Sequence, residues 1–275
     1  LTQTVELFVT ALGSGAWPDE TWVNDGAAVR VSLVSFGHST QKPQLAAQPV
    51  TAIYADLKAV AEGAQSLDLT TAQPLPENAG ASFFGFCLAG PFTVEAATAR
   101  AWLRLPNPNG RTNADVLSPI WNGADISRRP NDRWAVDFGA ARDASESALY
   151  DSPFAHVLAN VKPLRDANKR ASRAQRWWLH GETRPGLRKA GDGLSRWIVT
   201  SETAKHRYFV WLPQGVAPEH KLVVFPRADD VMFGLLSSRM HVCWVLKRGS
   251  TLEDRPVYTT SACFQPFPFP AGLTP

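Results

Sequence analysis

Basic residues are concentrated in one part of this sequence. Between Lys162 and Arg207 there are 12 Lys+Arg and four Asp+Glu, a balance of +8 in a chain whose net charge is +3. Such a concentration attracts polyanions, although it is also typical of a solvated surface, and the sequence leaves both interpretations open. The cations that we expect to contact a phosphate backbone are Lys162, Arg165, Lys169, Arg173, Arg176, Lys205 and Arg207.

Four of these cations have helical spacing. Arg165, Lys169, Arg173 and Arg176 are separated by 4, 4 and 3 residues, which predicts one helix face that can follow a phosphate backbone. The pair Trp177–Trp178 comes directly afterwards. It offers area for stacking on bases, but core packing is the favoured role because large aromatic side chains mostly stabilise cores.

A second candidate is the triplet Glu253-Asp254-Arg255, in a turn-like segment between two predicted strands. Arginine can donate two hydrogen bonds to guanine O6 and N7, and glutamate can accept one from cytosine N4. The triplet is therefore a candidate for contacts with base edges. An exposed loop with a local ion pair is the alternative.

Signatures of catalysis are missing. The sequence has no G-x-S-x-G elbow, P-loop or H-E-x-x-H, and His180-Gly181-Glu182 lacks the P-C-x-x-C partner of a deaminase zinc site. The turn Asn107-Pro108-Asn109-Gly110 superficially resembles the Asn/Asp-Pro-Pro-aromatic loop of amino-methyltransferases, but Gly110 cannot stack on a base. We therefore predict no catalytic, cofactor-binding or metal-binding residue in this chain.

The pattern of apolar residues predicts an α+β fold. We expect helices at 4–12, 94–105 and, interrupted near Pro153 and Pro163, 145–176; strands at 29–37 and 50–57, paired as a hairpin; and a strand at 133–139. The segments RWIVTSE, HRYFVWLP, KLVVFP and HVCWVLK predict further strands. The glycine in SFFGFC indicates a close approach to another backbone.

Composition bounds the class of protein. The 275 residues, 44% hydrophobic and 19% charged, suffice for one or two folded domains and argue against disorder. No segment has the length and polarity of a membrane helix or a secretory signal. Three widely spaced cysteines indicate neither a disulfide framework nor a zinc site, so we expect a cytoplasmic protein. The start at Leu1, without Met, suggests a piece of a longer protein.

Several long segments of the sequence form a recognisable set. They include AWPDETWVNDGAAVRVSLVSFG, LPNPNGRTNADVLSPIWNGADISRRPNDRWAVDFG, VKPLRDANKR, RWWLH, AKHRYFVWLP and ACFQPFPFP. In sequence and in order, these segments resemble the MmeI-like DNA methyltransferases of bacteria. Those enzymes join an adenine methyltransferase to a target-recognition domain, often with a nuclease at the N-terminus.

The resemblance implies an organisation and a function. Residues 1–60 would be the C-terminal edge of a catalytic domain, a remnant of its Rossmann-like sheet; 61–80 a connector; 81–270 a mixed α/β target-recognition domain; and 271–275 the start of an extension. The intact restriction–modification enzyme would use S-adenosylmethionine to methylate adenine N6 in duplex DNA, after flipping the base out of the stack.

The family's cofactor glycine motif and Asn-Pro-Pro-aromatic loop have no counterpart here. This piece should therefore need no cofactor and be inactive without the missing catalytic, and in some members nuclease, regions. The alternative is a freestanding or degenerate DNA-binding module.

Overall fold

The computed structural model describes residues 13–24, 27–37, 41–54, 57–59, 69–252 and 254–272. The chain divides into two compact units, Leu1–Ala72 and Gln73–Pro275. The helix predicted over 4–12 lies outside the described residues.

The smaller unit contains a four-stranded sheet in the order β2-β1-β3-β4. Its strands are β1 (Gly13–Asn24), β2 (Ala27–Phe36), β3 (Gln44–Leu45) and β4 (Gln48–Pro49), followed by a 3₁₀ turn at Leu69–Thr71. Strands β1 and β2 are antiparallel, with Trp17 opposite Leu33 and Trp22 opposite Val29. The predicted strand at 29–37 is confirmed as β2.

The predicted hairpin between 29–37 and 50–57 is wrong. The partner of β2 is β1. In the described part of 50–57, the only strand-like pairing is an isolated bridge from Ile53 to Ala59, just beyond the segment. The sequence does contain a signal for the observed pair, because Asp25-Gly26 is a hairpin-turn dipeptide with apolar residues on both sides. Glycine also suits β1, because a Cβ at Gly15 would lie 3.1 Å from the Ser35 hydroxyl oxygen.

The larger unit contains two four-stranded sheets, a small hairpin and eight helices among the described residues. The strands are β5 (Phe83–Phe84), β6 (Thr93–Glu95), β7 (Leu117–Trp121), β8 (Arg133–Val136), β9 (Arg196–Ser201), β10 (Val210–Pro213), β11 (Ala217–Pro218), β12 (Leu222–Phe225), β13 (Thr251–Leu252) and β14 (Arg255–Pro256). The helices are α1 (Ala96–Trp102), α2 (Ala144–Ser147), α3 (Asp151–Asn160), α4 (Lys162–Asp166), α5 (Ala171–Gln175), α6 (Pro185–Ala190), α7 (Asp230–Ser237) and α8 (Arg239–Arg248). Short 3₁₀ turns lie at Pro76–Asn78 and Asn113–Asp115, and a π-helical turn at Thr260–Phe264.

The central sheet is antiparallel, in the order β10-β9-β12-β5, and both its faces are buried. Alternate residues of β12 enter two different hydrophobic clusters, Val224 one and Val223 the other. Because successive side chains of a strand point to opposite faces, a strand covered on both sides is apolar at every position. This explains the uninterrupted apolar runs at 197–199 and 222–225, and the strands predicted in these segments are confirmed as β9 and β12.

The second sheet has the order β11-β7-β8-β6, and β8 confirms the strand predicted at 133–139. The helix predicted at 94–105 is confirmed over Ala96–Trp102. The predicted helical stretch at 145–176 is four short helices, α2 to α5. Pro153 and Pro163 lie in the first turns of α3 and α4, where a missing backbone N–H costs nothing.

The strand predicted for HVCWVLK is wrong, because this segment is helix α8. Its valines and tryptophan favour a strand by propensity alone. However, His241 and Val245 are both buried at helical spacing, and the Ser238 hydroxyl accepts a hydrogen bond from the His241 N–H to cap the helix. Packing against Phe264 and Cys263 in the second hydrophobic cluster overrides the propensity.

The close approach predicted for the SFFGFC segment is confirmed at Gly85. A Cβ there would lie 2.5 Å from the Pro218 carbonyl oxygen, so only glycine lets these two backbones meet. The mixture of helices and small sheets confirms the α+β class. That the smaller unit is the remnant of a Rossmann-like sheet remains a prediction.

Candidate nucleic-acid interface

The prediction that four cations share one helix face is wrong, because the helix is interrupted. Helix α4 ends at Asp166 and α5 begins at Ala171. Between them the Asn168 side chain accepts a hydrogen bond from the Arg170 N–H at 2.9 Å, a local turn that competes with helix continuation. Arg165 therefore lies on α4, Lys169 in the connection, and Arg173 on α5, with Arg176 at its C-cap.

Arg165 does not lie on an exposed face, and its prediction as a backbone contact is corrected. It is only 2% exposed, and its Nη2 donates hydrogen bonds to the carbonyl oxygens of Leu88 (3.0 Å) and Leu179 (3.3 Å). A guanidinium has five N–H donors, so it can tie together carbonyls that no secondary structure serves. Arg165 thus holds two segments of the larger unit together.

The prediction that Arg207 contacts a phosphate backbone is corrected as well, because its donors are used within the protein. Its guanidinium donates to Thr200 Oγ1 and Pro256 O, both at 2.9 Å, and to the Ser201 carbonyl. Burial lowers the pKa of Arg207. This side chain therefore joins strand β9 to strand β14. Its neighbour Lys205 is exposed, as the sequence requires of at least one cation in that cluster.

The other predicted cations reach solvent. Lys169 and Arg176 are exposed and Arg173 is half-buried. Lys162 pairs with Asp166 at 2.6 Å and lies over the Trp177 ring, 5.9 Å from its centroid.

The tryptophan pair confirms the favoured interpretation, since Trp177 and Trp178 both pack against the first hydrophobic cluster. Trp178 Nε1 donates to the Arg142 carbonyl at 3.0 Å. Both rings are half-buried, so much of their area serves the packing of the larger unit.

The segment that contains Glu253 and Arg255 is a hairpin at the surface. Strands β13 and β14 pair Leu252 with Arg255, leaving residues 253 and 254 between the strands. Asp254 and Leu252 are exposed and Arg255 is half-buried, whereas Glu253 lies outside the described residues. The hairpin is anchored at its base, because Pro256 accepts the hydrogen bond from Arg207.

The larger unit contains a cleft of about 430 Å³ that the sequence did not indicate, lined by α5 and the segment from Leu179 to Pro185. Four arginines line it: Arg165, Arg173, Arg176 and Arg184. Arg184, which was not among the candidates, ion-pairs with Glu182 and has a left-handed backbone (φ 48°). The part of the cleft that the sequence analysis did consider is His180-Gly181-Glu182, but as a possible zinc motif.

The structure also places the Asn107 turn. Asn107 is 5% exposed, and its Nδ2 donates to Asn113 Oδ1 and Arg111 O, both at 2.9 Å. Its Oδ1 accepts from the Asp151 N–H at 3.1 Å. Because the amide is fully used in holding a loop, these residues do not fit the chemistry of a methyl-transfer loop for S-adenosylmethionine.

The described part of the chain contains neither a metal cluster nor a membrane-spanning helix. No group of three or more His, Cys, Asp or Glu there could hold a metal ion. No helix among those residues is long and apolar enough to cross a bilayer.

The family model described as the target recognition domain of MmeI matches residues 112–271. This chain belongs to that family. The matched range contains the cation-rich segment, the arginine-lined cleft and the 251–256 hairpin. No curated protein matches the chain.

The fold agrees with that of a family member. A solved structure of the Type IIL restriction–modification enzyme MmeI in complex with DNA matches with a TM-score of 0.67 and 18% identity. The match covers 93% of this chain and 35% of the other, so the chain spans about a third of that enzyme's length. At this identity the likeness shows the fold.

Proposed function

We propose that this chain is the DNA-recognition part of an MmeI-type restriction–modification methyltransferase, and that it binds duplex DNA at a defined sequence. The observation that carries the proposal is the match of the MmeI target-recognition model to residues 112–271. It is supported by the charge of the same region, +8 between Lys162 and Arg207, since duplex DNA is a dense polyanion.

The exposed cations suit contacts with the phosphate backbone. With Arg165 and Arg207 removed from the set, Lys169, Arg176 and Lys205 remain as exposed cations and Arg173 as a half-buried one. Such contacts position a duplex without reading its sequence. Lys162 also reaches solvent, but contact with a phosphate would compete with its ion pair to Asp166.

The 251–256 hairpin suits contacts with bases. A two-stranded ribbon fits the major groove of B-DNA, and the exposed residues Leu252 and Asp254 place the tip of this ribbon at the surface. Arg255 would donate to guanine and Glu253 would accept from cytosine, which together would select a G·C pair.

We propose methyl transfer only for the whole polypeptide. That polypeptide would act in the cytoplasm, where its DNA is. Residues 1–60 would be the edge of the catalytic domain, 61–80 the connector, 81–270 the recognition domain and 271–275 the start of an extension. S-adenosylmethionine would supply the methyl group, and contacts made by the recognition domain would offset the few kcal/mol needed to flip the adenine. A genomic sequence upstream of Leu1 that encodes a cofactor glycine motif and an Asn-Pro-Pro-aromatic loop would support this role. A start codon at that point would instead support the freestanding module.

The test is selection of bound duplexes from a randomised pool by the 275-residue chain, followed by affinity measurements on the selected sequence and on single-base variants. Arg255→Ala should lose discrimination at one position, by about 1–3 kcal/mol. Lys169→Ala should weaken every duplex alike and flatten the plot of log affinity against log salt by about 0.9. A pool without enrichment, or equal losses on every sequence for both variants, would contradict the proposal.

A further inference from the structure

The arginine-lined cleft carries an excess of positive charge. Its walls include four guanidinium groups and one carboxylate, that of Glu182, which pairs with Arg184. Burial and then the nearby charge of Arg173 lower the pKa of Arg165. An arginine keeps its proton nonetheless. Like charges are therefore held together in the cleft with little internal compensation.

Several arginine donors at the cleft have no acceptor among the described residues. Arg165 is 2% exposed, and its Nε has no hydrogen-bond partner in the described part of the chain, although its Nη2 has two. Arg173 and Arg176 make no side-chain hydrogen bond or ion pair to any described residue. Arg173 is half-buried and Arg176 is exposed. Because neither side chain must break a bond to another described residue, both guanidinium groups can turn their donors to an acceptor supplied from outside.

The histidine of the cleft is neutral. His180 Nε2 donates to the Val136 carbonyl at 2.9 Å, and no described residue forms a hydrogen bond with its Nδ1. Burial lowers the pKa of His180 more strongly than the nearby Asp137 carboxylate raises it. The positive charge of the cleft at neutral pH thus comes from its arginines.

We propose that this cleft is a phosphate-binding site and that its occupant is one phosphodiester group of the bound duplex. The second clause rests on the proposed function. The planar fork of a guanidinium matches two oxygens of a phosphate, and three arginines can surround the group from α5 and the segment around Leu179–Pro185. A water molecule takes up about 30 Å³ of the liquid, so 430 Å³ leaves room for the phosphate and its attached sugar.

The first experiment uses inorganic phosphate and the 275-residue chain. Phosphate replaces chloride at constant ionic strength while the melting temperature is recorded. At tenfold over the dissociation constant, a ligand specific for the folded state should raise Tm by about 3–6 °C. Arg173→Ala and Arg176→Ala should abolish most of this rise. Arg170→Ala, which removes the same charge at the other end of α5 and outside the cleft, should retain it.

The second experiment identifies the source of the phosphate. At the same concentration and constant ionic strength, inorganic phosphate should weaken duplex binding by the wild-type chain about tenfold. It should weaken binding by Arg176→Ala less than twofold, and should act on Arg170→Ala as on the wild type.

The outcomes are distinct. No phosphate-dependent rise in Tm, or the same rise in both cleft variants, overturns the site. A rise without competition overturns the phosphodiester as occupant. A chain that binds phosphate but no duplex overturns the proposed function together with the second clause, and supports the phosphate site itself.

Discussion

Arg207 tests whether a cation of the basic region serves the fold or the phosphate backbone. Its guanidinium joins Thr200 on β9 to Pro256 on β14, so it fixes the base of the hairpin that contains Arg255. We expect Arg207→Ala to destabilise the larger unit and to loosen sequence discrimination, without changing the number of phosphates that the protein neutralises.

The magnitude follows from the hydrogen bonds. Two of them measure 2.9 Å, and a hydrogen bond to a charged group contributes about 1.5–3 kcal/mol. We take the lower end because Arg207 is only partly buried and water can replace some donors. The expected loss is about 3 kcal/mol, or about 6–12 °C in Tm for a domain of this size. Arg207→Lys keeps the charge but not the fork, and should lose at least about 1 kcal/mol.

The assays are urea unfolding and the salt dependence of duplex binding. Lys205→Ala is the matched control, because it removes an equal charge two residues away from an exposed position. It should change stability by less than about 0.5 kcal/mol and flatten the salt slope by about 0.9. The structural role would be refuted if Arg207→Ala were as stable as the wild type and reduced the slope of log affinity against log salt by about 0.9. If the alanine variant does not fold, the same comparison is made with Arg207→Lys.

Two further predictions concern buried polar groups. Asn78 is fully buried, and its Nδ2 donates to Gln265 O (2.9 Å) and Phe267 O (2.8 Å). The variant Asn78→Asp aims a carboxylate at these two carbonyls, so it should lower the free energy of unfolding in urea by more than about 3 kcal/mol. A loss below about 1 kcal/mol would contradict this. Burial, then Arg207, lowers the pKa of His241 to about 3. An unfolded histidine titrates near 6.5, so as the pH falls below that value only the unfolded state gains a proton, and stability should drop by about 2 kcal/mol from pH 7 to pH 5. The variant His241→Gln should remove this part of the pH dependence, and an unchanged loss in the variant would refute the assignment.

The sequence predicted those elements that local pattern controls. The strands β2, β8, β9 and β12 and the helix α1 have clear periodicity or continuous apolar runs, and all were found. Helix α8 was missed because its valines favour a strand while its burial spacing, decided by packing on the π-helical turn, favours a helix. Pairing of β1 with β2 was missed although the dipeptide Asp25-Gly26 is a local hairpin signal.

The candidate site shows the same limit at the level of side chains. Spacing correctly marked the basic segment, but it could not tell that the connection at Asn168 interrupts the helix. Nor could it show that Arg184 reaches the same cleft as Arg173, since this depends on how the segment after Leu179 folds against α5.

The two cations that proved to be structural are both arginines, and there is a physical reason for this. Arg165 and Arg207 each donate to at least two backbone carbonyls from different segments. A guanidinium has five donors in a fixed plane and is weakly hydrated, so its burial costs less than that of an ammonium, which has three donors on a compact and strongly hydrated charge. The lysines of the same segment accordingly stay in solvent or, at Lys162, in a surface ion pair. In a basic segment of a recognition domain, lysines are therefore the safer candidates for phosphate contacts, and each arginine must be assigned from its hydrogen bonds.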